Sequence, residues 1–523
     1  MTQLHILPAG ELAILIELDS LAHVMGAQVL LRQRALPGVI EIIAAAKTVF
    51  VQCDSPSALR HVMEFLDTAT VEDRLPPSGT IHRIKTRYDG ADLTDAAHLT
   101  GLSVAALVAW HSGQRWVAAF GGFAPGFMYL APADHRIMMP RRDTPRTVVP
   151  AGSVAVGGEF SAVYPGPTPG GWQLLGRCTD AIWNIQRDPA ALIQPGDGVE
   201  FVPVRELIEV TRPKPLAASA PSDTRIGTPT GFTVLAPGVH TTVQDLGRPG
   251  FAHLGVPSSG ALDRAALRRA NSLVGNDSHA AGLEIVLSGL LRLKASGSHV
   301  MAVAGTSPEL RISDLVGIER VVPGNTPFLL HDGEVLTICA GTHGFRSYLA
   351  VRGDLEVPAV LGSRATDVLS ALGPPPLTAG AFLPVARRHD GVVGTAEIAA
   401  PPTAEVTELH YRLGPRDNWF TPQSLAAFEA QTWEIGPQSN RIGLRLTGTP
   451  LSRTPEAEGA ELPSEGLAHG SLQVPPSGLP VLFLADHPVT GGYPVLGVVR
   501  GSDLDKAAQL APGARVRFRR TEA

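Results

Sequence analysis

Along the chain, apolar residues alternate between a helical and a strand period. In residues 1–80, ELAILIEL reads as a buried strand. SLAHVMGAQVLLRQRA sets Leu21, Val24, Met25, Val29 and Leu30 at helical spacing behind a capping Asp19 or Ser20. VIEIIAA and KTVFVQC read as strands, and SPSALRHVMEFLDTA as a capped helix with Pro at its first position. This predicts a small N-terminal α/β domain over 1–80. From 81 to 205, after one helix near 94–112, short apolar runs alternate with Gly/Pro turns, as in a β-barrel domain. Residues 206–229 carry Pro, Ala, Ser and Thr without apolar period and read as a linker. A second large unit starts at 230. Its one clear helix, ALDRAALRRANSLVG, ends on the C-cap signal of Asn271, Gly275 and Asn276. A weaker break near 390–405 divides this unit into 230–400 and 401–523.

The pattern also repeats. Gly152-Ser153-Val154, Gly170-Gly171-Trp172-Gln173-Leu174-Leu175-Gly176 and PGDGVEFVP recur as Gly470-Ser471-Leu472, Gly491-Gly492-Tyr493-Pro494-Val495-Leu496-Gly497 and PGARVRFRR. The separations are 18 against 21 residues and 26 against 22. Order and spacing together predict two copies of one β-barrel architecture. The fold class is therefore mainly β with α+β parts, with barrel domains in tandem.

Composition narrows the function. The 523 residues carry 43 Lys+Arg and 49 Asp+Glu, a net charge of −6, which offers no basic face for nucleic acid. The three cysteines lie far apart with no CxxC, so neither a disulfide framework nor a Cys-rich zinc site is expected. The opening segment lacks a basic n-region, and no apolar run of 18 residues suggests a membrane span, so a cytoplasmic protein is expected. A P-loop, HExxH, GxSxG and a Met-Lys-Met biotinylation segment are all missing, so no metal and no covalent biotin are expected.

Four runs carry the candidate chemistry. Phe120–Leu130 (FGGFAPGFMYL) holds a rigid turn at Pro125-Gly126-Phe127, which suits either ligand contact or a packed aromatic corner. Pro140–Arg146 (PRRDTPR) sets Arg142 and Arg146 in a stiff loop suited to carboxylate or phosphate, or to local ion pairs. Thr242–Arg264 contains His253, Gly260 and Asp263 before a helix that Ser258 or Ser259 could cap; His253 suits acid/base work or a structural role. Residues 436–493 place Gln438, Arg441, Glu465, Gln473, Asp486, Gly491, Gly492 and Tyr493 in successive turns. Such turns can converge on a pocket or simply bond their own backbone.

Taken together, these runs resemble two families. GGFAPGFMYL, PRRDTPRTVVPAGSVAVGG and GGWQLLGR are similar to allophanate hydrolase subunit 1, also called the B-type subunit of 5-oxoprolinase. TTVQDLGRPGFAHLGVPSSGALDRAALRRANSLVGND, GPQSNRIGLRL, SEG and ADHPVTGGYPVLG are similar to allophanate hydrolase subunit 2, the C-type subunit of 5-oxoprolinase. The chain departs from the usual motifs at Ala124, His487 and Pro488. The resemblance implies a fusion of B-like and C-like halves with cyclophilin-like barrels. It implies a component of ATP-dependent 5-oxoprolinase, using ATP with Mg shared with a separate A-type subunit. Alternatives are the carboxyltransferase component of a urea carboxylase, acting on biotin carried elsewhere, and a non-enzymatic regulator of a histidine kinase. No biotin carboxylase region or biotin carrier is present for a complete urea carboxylase. On motif membership and chemistry, His253, Asp263 and Asp486 are the expected catalytic groups. Arg142, Arg146, Gln173, Gln438, Arg441, Glu465, Gln473 and Tyr493 are expected to bind substrate. The motif loops at Pro125, Gly126, Phe127, Gly260, Gly491 and Gly492 would shape the site. Whether the chain is a homo-oligomer stays open.

Overall fold

The computed structural model describes residues 4–72, 79–133, 136–142, 144, 146–207, 229–286, 290–306, 308–341, 344–386, 391–397 and 405–521. Most of the expected 206–229 linker lies outside them. The protein is mostly β, with seven α-helices among the described residues. The N-terminal unit is an antiparallel sheet in the order His5–Pro8, Ala13–Glu17, Thr48–Cys53, Val39–Ala44. Helices Leu21–Arg34 and Pro56–Thr68 pack against it. Ser20, rather than Asp19, caps the first by accepting from His23 N–H at 3.2 Å, and Ser55 caps the second.

The repeat is two barrels of one topology. In the second, seven strands close in the order Val495–Val499, Ser471–Gln473, Val481–Phe483, Gly443–Thr447, Trp433–Ile435, Arg515–Arg520, Val406–Leu413. The first runs Gln173–Arg177, Ser153–Gly157, Phe160–Val163, Met128–Pro132, Trp116–Gly121, Gly198–Pro203, Ile81–Thr86, and the Arg87–Arg177 bridge brings its ends together. The irregularities match as well. Val154 faces Gly176 and Ala155 faces Leu174, skipping Leu175; Leu472 faces Gly497 and Gln473 faces Val495, skipping Leu496. Both glycines sit where the first strand crosses. A Cβ on Gly176 would lie 2.4 Å from the Arg87 carbonyl oxygen, and one on Gly497 2.8 Å from that of Arg412. Each barrel also buries a tryptophan whose indole N–H donates to a carbonyl five residues back, Trp116 to His111 and Trp433 to Phe428.

The helix expected near 94–112 is two helices, Leu93–Thr100 and Val104–Ser112, bent by 91°. Gly101 adopts a left-handed φ of 69° and Ser103 caps the second, so local capping overrides the continuous apolar period. No single described helix is long and apolar enough to cross a membrane.

Between the barrels in sequence lie a six-stranded and a five-stranded sheet sharing one core, in which Val243, Leu283, Leu293 and Val303 are fully buried. Helix Arg264–Val274 packs Leu267, Ala270 and Leu273 on the Ala302–Ala350 face. The halves interlock. Ile43 and Phe50 of the N-terminal sheet pack on Leu467, Phe483 and Val495 of the second barrel, while Leu254, Val256 and Leu372 pack on the first.

Gly176→Ala is expected to lower the melting temperature by several degrees, since overpacking costs about 1–3 kcal/mol. Gly501→Ala, at a helix start with nothing within 4 Å of its Cβ, is expected to change it little. Calorimetry of both variants checks the pair.

Candidate functional site between the two barrels

The motif turns of both halves converge. The turn from Phe120 to Phe127 joins adjacent strands of the first barrel, and its two glycines permit docking on the C-like half. A Cβ on Gly121 would lie 2.3 Å from the His253 carbonyl oxygen, and one on Gly122 2.5 Å from Thr490 Oγ1. With both positions bare, Phe123, itself at φ 63°, donates its N–H to Thr490 Oγ1 at 3.1 Å. Phe127 sets its ring at edge-on angles to Tyr129, Tyr164 and Trp172, with centroids 5.2–5.5 Å away. The aromatic corner is therefore packed, and it also walls a cavity of about 870 Å³ shared by both barrels.

That cavity is lined by Phe127, Tyr129, Arg141, Arg142, Tyr164 and Trp172 from one half, and by Arg453, Ser464, Thr490, Gly491, Gly492 and Tyr493 from the other. Tyr129 shares hydrogen bonds with Ser464 and Thr490; burial raises its phenol pKa against those bonds and the nearby Arg141 charge. Burial, with Tyr129 beside it, pushes the Tyr164 phenol up to about 12. Both hydroxyls therefore stay protonated near neutrality. Arg141 forms no hydrogen bond or ion pair with another described residue, and its Nη1 lies 3.8 Å from where a Gly492 Cβ would be.

Arg142 and Arg146 have a partner that the sequence did not reveal. Arg142 Nη1 donates to Asp92 Oδ1 at 2.7 Å, and Arg146 grips both Asp92 oxygens at 2.6 and 2.9 Å. Arg142 still reaches the cavity wall; Arg146 does not line it. Burial works against the Asp92 carboxylate, but Arg146, the Leu174 N–H and the Arg142 charge hold it below its usual range.

The second barrel carries the same device with the signs exchanged. Asp92 N–H donates to Leu174 and Arg416 N–H to Val495, the matched strand positions. Arg146 faces Gly170 across one two-stranded flap, and Glu465 faces Gly491 across the other. Arg416 grips Glu465 and also donates to Glu17 at 2.6 Å. Each pair ties a flap beside the cavity to its own barrel. Glu465 is thereby an anchor at a neighbouring 550 Å³ cavity rather than a wall of the shared one.

The remaining expected residues stand elsewhere. Asp486 is fully buried, gripped by Arg441 at 2.9 and 3.0 Å, and it accepts from Ser259 Oγ at 2.6 Å. Arg441 also donates to Glu284 and to the Gly260 carbonyl. Ser259 thus does not cap the following helix. Asp263 does, accepting from Ala266 N–H at 2.8 Å and from Gln509. Burial pushes the Asp263 carboxyl up to about 6. His253 sits outside the cavity wall, and burial with Arg32 nearby pushes its imidazole down to about 4, so it is neutral. Gln173 donates to the Pro140 carbonyl and Gln473 to that of Tyr493, while Gln438 is exposed on its turn. Gly126 lies against Trp183, and Pro125 is not in the cavity wall. Among the expected residues the cavity gathers Arg142, Phe127, Gly491, Gly492 and Tyr493. It adds Arg141, Tyr129, Thr490 and Ser464. All four stood inside the quoted motifs, within two positions of chosen residues. Among the described residues, no cluster of three or more His, Cys, Asp or Glu could hold a metal ion.

This architecture matches carboxyltransferase domains: subdomains C and D over residues 4–193, and subdomains A and B over residues 254–520. The chain belongs to that family and carries both regions in one polypeptide. It is 36% identical to the C-type subunit of 5-oxoprolinase from Escherichia coli K12 over 289 residues, 54% of this chain and 89% of that protein. It is 37% identical to the B-type subunit of 5-oxoprolinase from Escherichia coli O157:H7 over 206 residues, 38% of this chain and 94% of that protein. Urea amidolyase of Saccharomyces cerevisiae is 31% identical over 310 residues, 55% of this chain but 16% of that protein. The solved structure of TTHA0988 superposes with a TM-score of 0.84 at 30% identity, covering 97% of this chain and 99% of that one.

Removing one partner of a buried ion pair costs about 3–5 kcal/mol. Asp92→Asn is expected to lower the melting temperature most at neutral pH. Because the folded-state pKa is lowered from 3.8, the carboxylate's contribution is present above about pH 4 and is lost as pH falls below it. The gap between wild type and variant should therefore close in acid, which melting curves from pH 3 to 7 would read.

Proposed function

We propose that the chain is a component of ATP-dependent 5-oxoprolinase, acting with a separate A-type subunit, and that the cavity between the barrels receives 5-oxo-L-proline. The supporting observation is the convergence of B-like and C-like motif turns on one cavity. It offers a guanidinium with no partner among the described residues, Arg141, beside a set of hydroxyls. A guanidinium fork suits the substrate carboxylate, and Tyr129, Thr490 and Ser464 can donate to the lactam carbonyl. The volume lies within the roughly 300–1,000 Å³ of small-ligand sites. Arg142 and Arg453 add positive charge for phosphate, and Glu458 and Glu461 on the same wall supply oxygens suited to Mg. In this reading the lactam oxygen takes the terminal phosphoryl group and ADP leaves. One water then adds to the activated carbon and the C–N bond breaks, leaving an acyl phosphate, and a second water hydrolyses that to glutamate and phosphate. The chain's own part is to hold the carboxylate, orient the carbonyl and exclude bulk water.

The carboxyltransferase family assignment favours a second reading, transfer of carboxylate from a biotin carried on another protein. Glutamate release from 5-oxo-L-proline and MgATP, with and without an A-type partner, separates the two. Release only with the partner is the expected result. No release with a folded partner, together with carboxylation dependent on a biotin carrier, would replace the first reading by the second. A hydrogen bond to a charged group contributes about 1.5–3 kcal/mol. Arg141→Ala is therefore expected to lower kcat/KM roughly ten- to hundredfold, mainly through KM.

A further inference from the structure

Two smaller cavities, of about 310 and 180 Å³, share Gln52, Arg264 and His469 in their walls. They lie where the N-terminal sheet, the start of helix Arg264–Val274 and the second barrel meet. Arg264 is half-buried as a residue, but its Nε is sealed from solvent and has no partner. No described carboxylate lies within ion-pair distance of its guanidinium. Asp505 accepts from the Arg264 backbone N–H at 2.8 Å instead. Glu11, the other acid in the wall of the larger cavity, is taken by Arg500 at 2.7 Å and by Gly501 N–H, and Glu41, in the wall of the smaller one, accepts from the N–H groups of Gly250 and Ala252. Arg268, one helical turn on, adds a second cation to the larger cavity. His469 Nε2 is likewise sealed and unpartnered, its ring stacked 6.1 Å from that of His487. Burial first, and then Arg268, presses the Arg264 pKa down, and Asp505 offsets this only in part.

A cation taken out of water without a counter-charge is costly, and an anion is the natural compensation. The N–H groups at the start of the helix are already taken by Asp505 and Asp263, so the anion would rest on the side chains. We propose that Arg264, Arg268 and His469 form a binding site for a small oxyanion, a phosphate or carboxylate, separate from the cavity between the barrels. The Arg264 fork would grip two oxygens, and His469 would donate from Nε2. Both volumes fall at or below the lower end of the roughly 300–1,000 Å³ typical of small-ligand sites, which suits an isolated anionic group. Nothing in this inference depends on the oxoprolinase reading.

The test is titration of the full chain with inorganic phosphate and, separately, acetate, by calorimetry and phosphorus NMR line width. Saturable binding is expected, weakened at least tenfold in Arg264→Met and several-fold in Arg268→Ala. The exposed Arg268 keeps the test valid if Arg264→Met folds poorly. Competition by MgATP would identify a nucleotide phosphate as the source, and its absence a free anion; either supports the site. The proposal is overturned if neither anion binds at up to about 10 mM. It is also overturned if both variants bind like the parent, or if Arg141→Ala abolishes phosphate binding while Arg264→Met retains it.

Discussion

The buried guanidinium of Arg441 is the interaction on which the C-like half depends. It reaches from a turn of the second barrel to Asp486 on another turn, to Glu284 in the neighbouring sheet and to the carbonyl of Gly260. Burial opposes its charge, yet Asp486 and Glu284 hold it protonated. Such a network is strongly destabilised when one member is removed, because the others stay charged and dry. It ties the barrel to the sheet that carries Glu284. It also fixes the loop carrying Ser259 and Gly260, and through it the surface on which the B-like half docks.

That docking explains the glycine pair at 121–122. The first barrel presses a backbone turn against Thr490 and the His253 carbonyl, and no side chain fits between them. The cavity therefore belongs to neither barrel alone. Its flaps are tied down by ion pairs at matched positions, Asp92 with Arg146 and Arg416 with Glu465. The duplicated architecture has kept the position and exchanged the charges, because a flap needs an opposite partner and not a particular sign.

Much of the fold was legible in the sequence. The two GG-x-x-x-x-G runs coincide with matched strands, matched bulges and matched crossings, since each glycine answers a local steric demand. The caps at Ser20 and Ser55 and the left-handed Gly275 were legible for the same reason. The split at Gly101 was not, because the apolar spacing runs on through a break that capping decides. The site was legible as a set of motifs and not as roles. Arg146, Arg441, Asp263 and Asp486 have the chemistry of ligand-binding or catalytic groups, yet here they hold the structure together, and Arg142 does so while also reaching the cavity wall. Arg141, beside them in the same run, faces the cavity.

By itself, the sequence determined most strands and turns, that the barrel is present twice, and which loops carry unusual chemistry. These are matters of local period and backbone conformation. It did not determine helices Pro422–Ala430 and Gly501–Ala508, whose segments read as strand-like. Only the tertiary structure decided which charges neutralise each other. Asp92 meets Arg146 across 54 residues, Arg441 meets Glu284 across 157, and Thr490 meets Phe123 across 367. An ionisable side chain is structural or available according to the partner that folding brings within about 3 Å. No property of its own neighbourhood in the chain records that partner.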